Sequence, residues 1–334
     1  MANYKNIKGF SIQYLDSDPP NPIEGQMWYN STSGTFKGAG AGTIADATWS
    51  SGGALNTVRD QPLGRAGTQT AALVATGYES TTVTVNTELY DGSSWTEVNN
   101  VNLARRDGGG AGATNTAALI FGGYGPPGAR YGQTESWNGT SWTEVNDLNL
   151  SRNSVGGAGT QTSALFFGGY VGAPSPTQFT GQTESWNGTS WTEVSDLNTT
   201  RSSFGTFGYS NTAVIAAAGG NTTPQTAVEN WNGTSWTEIA ELNTQRNSAG
   251  GSGESTDGIV FGGYSSALTS YVGNTESWNG TAWTEANDLA SARGSGAGAL
   301  GGTSSTALYS GGQSSTTTEE WTAPPIGIKT FTSS

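Results

Sequence analysis

The chain has 334 residues, a formal net charge of −13 and only 12% charged residues, so it lacks the basic footprint that binding to a phosphate backbone needs. It contains neither cysteine nor histidine, which removes disulfides, thiolate chemistry and the commonest general base and metal ligand. Twelve Trp, twelve Tyr and 51 Gly point instead to a folded all-β protein built on buried aromatic rings and tight backbone approaches.

The N-terminal residues show no apolar stretch of the kind a secretory signal needs, so no export signal is expected, and no run is long enough to span a membrane. Residues 1–40 read as a separate segment, with a Pro19-Pro20 loop, two acids (Asp16 and Asp18) without calcium-loop spacing, and a hairpin around Gly34. Trp28, Tyr29 and Phe36 are its candidate docking residues. No metal and no cofactor are assigned.

From residue 41 the chain repeats. Trp-x5-Leu/Val-x3-Arg occurs six times, at Trp49/Arg59, Trp95/Arg105, Trp142/Arg152, Trp191/Arg201, Trp236/Arg246 and Trp283/Arg293, with the tryptophans 45 to 49 residues apart. Each unit continues through a Gly-rich stretch and an apolar run to a glycine pair or its remnant. A Glu follows, two residues before an aromatic: Glu88, Glu135, Glu184, Glu229, Glu276 and Glu319. Four copies then read Trp-Asn-Gly-Thr-Ser/Ala-Trp, and one reads Tyr-Asp-Gly-Ser-Ser-Trp. Asn-Gly here signals a hairpin of type I′, which needs positive φ at both central residues.

One unit is therefore four short strands, here called a (Gly-rich), b (apolar), c (Glu-x-Trp) and d (Trp-Thr-Glu-Val). Such a repeat predicts a β-propeller blade. The phase matters: the series opens with a lone d strand at Trp49 and closes with a c strand at Trp321. Pairing the two gives six full blades, the N-terminal strand closing the ring over 41–321 and leaving 322–334 as a C-terminal tail. Trp142, Trp191, Trp236 and Trp283 are expected to be buried between blades.

The Gly-Gly, Glu/aromatic, Trp order resembles kelch repeats over 41–321, with the second aromatic and the Trp only five residues apart. The Thr-Glu-Ser-Trp-Asn-Gly-Thr-Ser-Trp-Thr-Glu-Val cassette is similar to kelch-type virion proteins of marine bacteriophages, and Asp18 to Lys37 resembles N-terminal segments of phage tail-fibre and other virion structural proteins. The resemblance implies a six-bladed kelch-like propeller in a virion, made in the host cytoplasm, as a tail-fibre, tail-tip or other host-facing component. Residues 1–40 would contact other virion proteins. A capsid or neck decoration protein, and a cellular kelch scaffold, are the alternatives. Copper-radical oxidases of this propeller type need the Cys and His that this chain lacks. The acids recur in every repeat, whereas a glycosidase pair should break the symmetry, so no enzyme is expected.

Length variation localises the binding face. From the last Gly of the apolar run to the next Glu the chain takes 7 to 15 residues, against 34 to 36 for the rest of the repeat. These b–c loops carry Tyr124, Arg130, Tyr131, Tyr170, Phe179, Tyr264 and Tyr271, suited to stacking on sugar rings or filling a partner's pockets. They are equally readable as relaxed surface. The repeated Arg, on the same face, fits either a structural pairing with the repeated Glu or an anion site. Asn-Gly-Thr also matches a glycosylation acceptor, which the hairpin explains without modification.

Overall fold

The computed structural model describes residues 12–20, 25–40, 46–172, 178–324 and 327–331, and among them there is no α-helix. The chain forms two compact units, one of residues 1–47 with 323–334, the other of residues 48–322. Of the segment read above as a docking element, residues 1–11 and 21–24 lie outside the described residues.

The larger unit is β-propeller-like. Apart from two-stranded hairpins in the b–c loops, its described strands fall into four-stranded antiparallel sheets that repeat one order, a–b–c–d. The first contains Gly64–Thr68, Ala71–Ala75, Thr87–Tyr90 and Trp95–Val98, and the second Gly109–Thr114, Ala117–Phe121, Thr134–Trp137 and Trp142–Val145. The third contains Gly156–Thr160, Ser163–Phe167, Thr183–Trp186 and Trp191–Val194, and the fourth Gly205–Ser210, Ala213–Ala217, Val228–Trp231 and Trp236–Glu238. The fifth is Gly250–Glu254, Asp257–Phe261, Thr275–Trp278 and Trp283–Ala286. In the sixth, Ala297–Gly298, Thr306–Ser310 and Thr318–Thr322 are completed by Thr48–Ser51, with Trp49 opposite Trp321.

The a strands are glycine-rich because neighbouring backbones occupy the space a side chain would fill. A Cβ on Gly110 would lie 2.4 Å from the Leu63 carbonyl oxygen, and one on Gly251 2.7 Å from that of Thr206. Apolar side chains then pack between adjacent sheets. Leu119 and Phe121 of the second sheet meet Ala164, Phe166, Trp186 and Trp191 of the third in one cluster.

The d-strand tryptophans are buried, and their indole N–H groups cross to the preceding sheet's c strand. Trp142 donates to Thr87 Oγ1, Trp191 to Thr134 and Trp236 to Thr183, each at 3.0 Å, and Trp49 donates to Thr275 at 2.9 Å. Where the fourth sheet has Val228 in place of that Thr, Trp283 donates to the Ala240 carbonyl instead, at 2.9 Å. A buried indole N–H needs a partner, and here the partner is found locally.

The hairpin expectation holds for the c–d pairs, but the turn differs from type I′. Trp137 faces Trp142 across four loop residues, and only Gly139 has positive φ (92°). Asn138 Oδ1 accepts the N–H groups of Thr140 and Ser141, both at 2.9 Å. The Asn side chain thus organises the turn, which removes the need for a left-handed Asn.

In the smaller unit, Gln13–Leu15 runs parallel to Met27–Asn30, which pairs antiparallel with Thr35–Gly40, which in turn pairs with Gly327–Phe331. The hairpin around Gly34 is present, with Asn30 facing Thr35. Trp28 does not offer a docking surface: it is fully buried, its indole donating to Asp18. Asp18 also takes Asn30 Nδ2 and Lys37 Nζ at 2.7 Å, and these hydrogen bonds hold its carboxyl down at about 2. The exposed aromatic surface is instead Tyr14, stacked on Tyr29 at 5.1 Å, with Phe36 edge-on at 5.1 Å. Period-two alternation along Met27–Asn30 turns Trp28 and Asn30 inward and leaves Tyr29 outward.

Candidate functional site

The repeated Arg and Glu side chains form buried pairs. Arg59 reaches Glu88 at 2.9 Å, Arg105 reaches Glu135 at 3.1 Å, Arg152 reaches Glu184 at 3.2 Å and Arg201 reaches Glu229 at 3.0 Å. Arg246 pairs with Glu276 and Arg293 with Glu319. Burial lowers the guanidinium pKa of Arg105 and Arg152 to about 10, against the opposing pull of their glutamates. These cations are enclosed and their charge is matched, so they present no anion site on the face.

Each carboxylate is saturated further by a residue the sequence reading passed over. The Asn after the repeated Leu/Val donates both its backbone and side-chain N–H to the second oxygen: Asn149 to Glu184 Oε2 at 2.8 Å twice, and Asn198 to Glu229 likewise. The Trp-x5-Leu-Asn register could have flagged it; only Ala290 breaks it. The other guanidinium nitrogen caps the return of the b–c loop. Arg105 Nη1 donates to the Gln133 carbonyl, Arg152 to that of Gln182, both at 2.7 Å, and Arg246 to that of Asn274 at 2.6 Å. The variable loops are thus strung from a fixed post.

Short antiparallel bridges join five of the d–a connections to the following b–c loops: Asp60 with Tyr78, Arg106 with Tyr124, Asn153 with Tyr170, Ser202 with Gly220 and Asn247 with Tyr264. Both sets of connections therefore lie together, as strand alternation requires. On this face the structure brings several of the expected residues into one array. Arg106 lies 4.9 Å from the Tyr78 ring and 5.7 Å from that of Tyr124. Arg130 lies 5.9 Å from Tyr124 and 4.5 Å from Tyr170, whose ring sits 5.4 Å from Phe179. Tyr78, Arg106, Tyr124, Arg130, Tyr170 and Phe179 form a half-buried ladder of alternating aromatic and guanidinium planes over three successive sheets.

Tyr131 sits beside the ladder and donates its hydroxyl to the Pro126 carbonyl. Tyr264 and Tyr271 form a separate edge-to-face pair at 5.4 Å, with Leu268 exposed at their loop tip. The ladder stops at the fourth sheet because Gly220 stands where a Tyr would. Its loop folds back so closely that a Cβ there would lie 2.3 Å from the Thr223 carbonyl oxygen. Tyr78 and Arg106 were missed in the sequence, although Tyr78 follows Gly77 as Tyr124 follows Gly123, and Arg106 follows the repeat's own Arg105.

Below this face, the d–a connections carry one residue each in left-handed conformation: Gln61, Asp107, Ser154, Ser203, Ser248 and Ser295, with φ between 53° and 61°. Each backbone N–H donates to the carbonyl of the preceding member. Asp107 donates to Gln61 at 3.0 Å, Ser154 to Asp107 at 2.6 Å, and Ser203, Ser248 and Ser295 follow at 2.8 Å. Gln61 donates to Ser295, also at 2.8 Å. Among the described residues, no group of three or more Asp or Glu is placed to hold a metal ion. No protein-family model matches the chain, and no curated protein matches it.

Proposed function

We propose that residues 48–322 form a closed six-bladed propeller and that the protein is a phage virion component of a host-facing appendage, binding a cell-surface glycan or protein through its b–c loops. Closure is supported by the links from the sixth sheet to the first: Trp95 Nε1 to Thr318 Oγ1 at 3.0 Å, Gln69 Nε2 to the Trp321 carbonyl at 2.7 Å, and Gln61 N–H to Ser295. A sheet series without free edges is also the arrangement that avoids edge-to-edge aggregation.

The observation that carries the recognition role is the ladder from Tyr78 to Phe179. Rings and guanidinium planes fixed on a rigid scaffold suit sugar faces and acidic groups, and copies on a particle would multiply weak single-site binding. Residues 1–40, with Tyr14, Tyr29 and Phe36 as their exposed aromatic surface, supply the attachment to other virion proteins. This reading assigns no catalytic step.

A glycan array probed with the full chain tests it. Arg130→Ala and Tyr170→Ala should lose binding while melting as the parent does. Binding that survives both, or that no glycan or host-surface protein supports, would favour a decoration role. Particles assembled with a chain lacking residues 1–40 should fail to incorporate it.

A further inference from the structure

The six left-handed residues surround a cavity of about 60 Å³ whose lining includes Arg65, Asp107, Ser203, Ser248 and Ser295. The ring's N–H groups are used by its own carbonyls, so the ring itself offers a ligand its side chains and not its backbone donors. Arg65 departs from the repeat. It lies on the first a strand opposite Val74, at the position held by Gly110, Gly157, Thr206, Gly251 and Gly298 in the other sheets. Five repeats place nothing longer than Thr there; the first places a guanidinium.

Arg65 as a residue is 7% exposed, its Nε has no hydrogen-bond partner, and among the described residues it makes no ion pair. An enclosed cation without a partner is costly, and arginine does not relieve the cost by losing its proton. None of the described acids forms a salt bridge with it. The six repeated glutamates each hold their own Arg, and Asp107, which shares the cavity lining, has a carboxyl that burial pushes up to about 6. Tyr309, the ionisable group closest in influence, is kept neutral because burial pushes its hydroxyl up to about 12, and it accepts the Gly296 N–H at 3.0 Å.

We infer that this cavity is a binding site for a small oxyanion, phosphate-like or carboxylate, with Arg65 supplying the charge and Ser203, Ser248 and Ser295 hydroxyls around it. The planar fork of the guanidinium matches two oxygens of such an ion. The serine hydroxyls can donate to a third. The site is independent of the outer ladder, and its occupancy does not require that the ladder bind glycans.

The test uses the full chain and two substitutions with precedent in its own repeats, Arg65→Gly and Arg65→Thr, so that folding is not in question. Inorganic phosphate, sodium acetate and sodium chloride at matched ionic strength are titrated while the melting temperature and the heat of binding are followed. Phosphate, acetate or both should raise the melting temperature of the parent beyond chloride. Both variants should lose affinity by roughly tenfold or more, the worth of a charged hydrogen bond. A response to acetate alone assigns the site to a carboxylate, and one to phosphate alone to a phosphate-like ion. A parent that responds to neither beyond chloride, or variants that respond as the parent does, would overturn the inference.

Discussion

The third and fourth sheets share an interior and part company on one face. Both hold a buried Arg–Glu pair, Arg152 with Glu184 and Arg201 with Glu229, each carboxylate held by an Asn at 2.8 Å. Above the third, Tyr170 and Phe179 extend a ladder; above the fourth, Gly220 and a shorter loop end it. The interiors also differ at one atom pair: Thr183 receives the Trp236 indole, whereas Val228 leaves Trp283 to find a carbonyl. The fold is carried by what the repeats have in common, and the proposed recognition face by what they do not. Substitutions at the two kinds of position should therefore separate cleanly.

The largest effect should come from breaking a shared interior pair. Arg152→Met leaves Glu184 buried without its cation and should cost about 3–5 kcal/mol. Adding Glu184→Leu to it should recover much of the loss, since a buried pair is often no better than a well-packed apolar one. Chemical denaturation of the single and double variants measures both. If the single variant were as stable as the parent, the pair would be ornamental and the contrast with the loops would collapse.

Next in size is Thr183→Val, which copies the fourth sheet's residue into the third. The Trp236 N–H would lose its acceptor, and a cost of about 1–2 kcal/mol is expected unless the ring turns as Trp283 does. The reverse change, Val228→Thr, should stay within about 1 kcal/mol, because Trp283 already has a partner. Equal and opposite effects would mean that the indole bonds are interchangeable.

A pH experiment sharpens the same division around the left-handed residues of the d–a connections, where four repeats have Ser and one has Asp107. Burial raises the Asp107 carboxyl to about 6, above its ordinary 3.8. The folded protein then holds this proton more tightly than the unfolded chain, so the contribution is fully present below about 3.8, declines above it and is lost as pH rises through about 6. Stability should therefore fall by on the order of 1 kcal/mol from pH 5 to pH 7 on account of this group. Asp107→Ser should flatten that part of the profile, leaving whatever Asp60, shifted upward by the same cause, still contributes.

The smallest stability effect belongs to the face. Arg130→Ala should change the unfolding free energy by no more than about 0.5 kcal/mol, because its stacked partners are half-buried and stay in place. A loss several times larger would show that the ladder supports the fold and would blur the distinction between interior and face.

Repetition made the interior legible. Six copies of Trp, Arg and Glu in one register announce the sheets and their order, and offer the pairing of the Arg with the Glu beside an anion site. The lone strand at Trp49 likewise announces its partner at Trp321. What repetition does not encode was missed or misread. Arg65 is a single departure in a glycine strand, and its meaning depends on what five other strands place beside it. The ladder depends on loops from three sheets meeting, although the Gly-Tyr dipeptides hinted at it. Trp28 looked like a docking residue because an aromatic in a short segment says nothing about which face its strand buries. The c–d turn was misassigned because Asn-Gly permits two solutions, and the Asn side chain selected the other.

The ring of six left-handed residues has a handedness of its own. Every N–H points at the carbonyl of the preceding member, so the peptide dipoles run head to tail around a circle and cancel across it. A helix terminus lends its field to whatever binds there; this ring lends none. The field in the cavity is then set by side chains, a single guanidinium below and a single carboxyl in the ring. Altering one residue can invert the sign of what the cavity attracts without disturbing a backbone hydrogen bond. The molecule thus keeps its architecture and its central charge under separate control, Arg65 and Asp107 deciding the second while the first stays fixed.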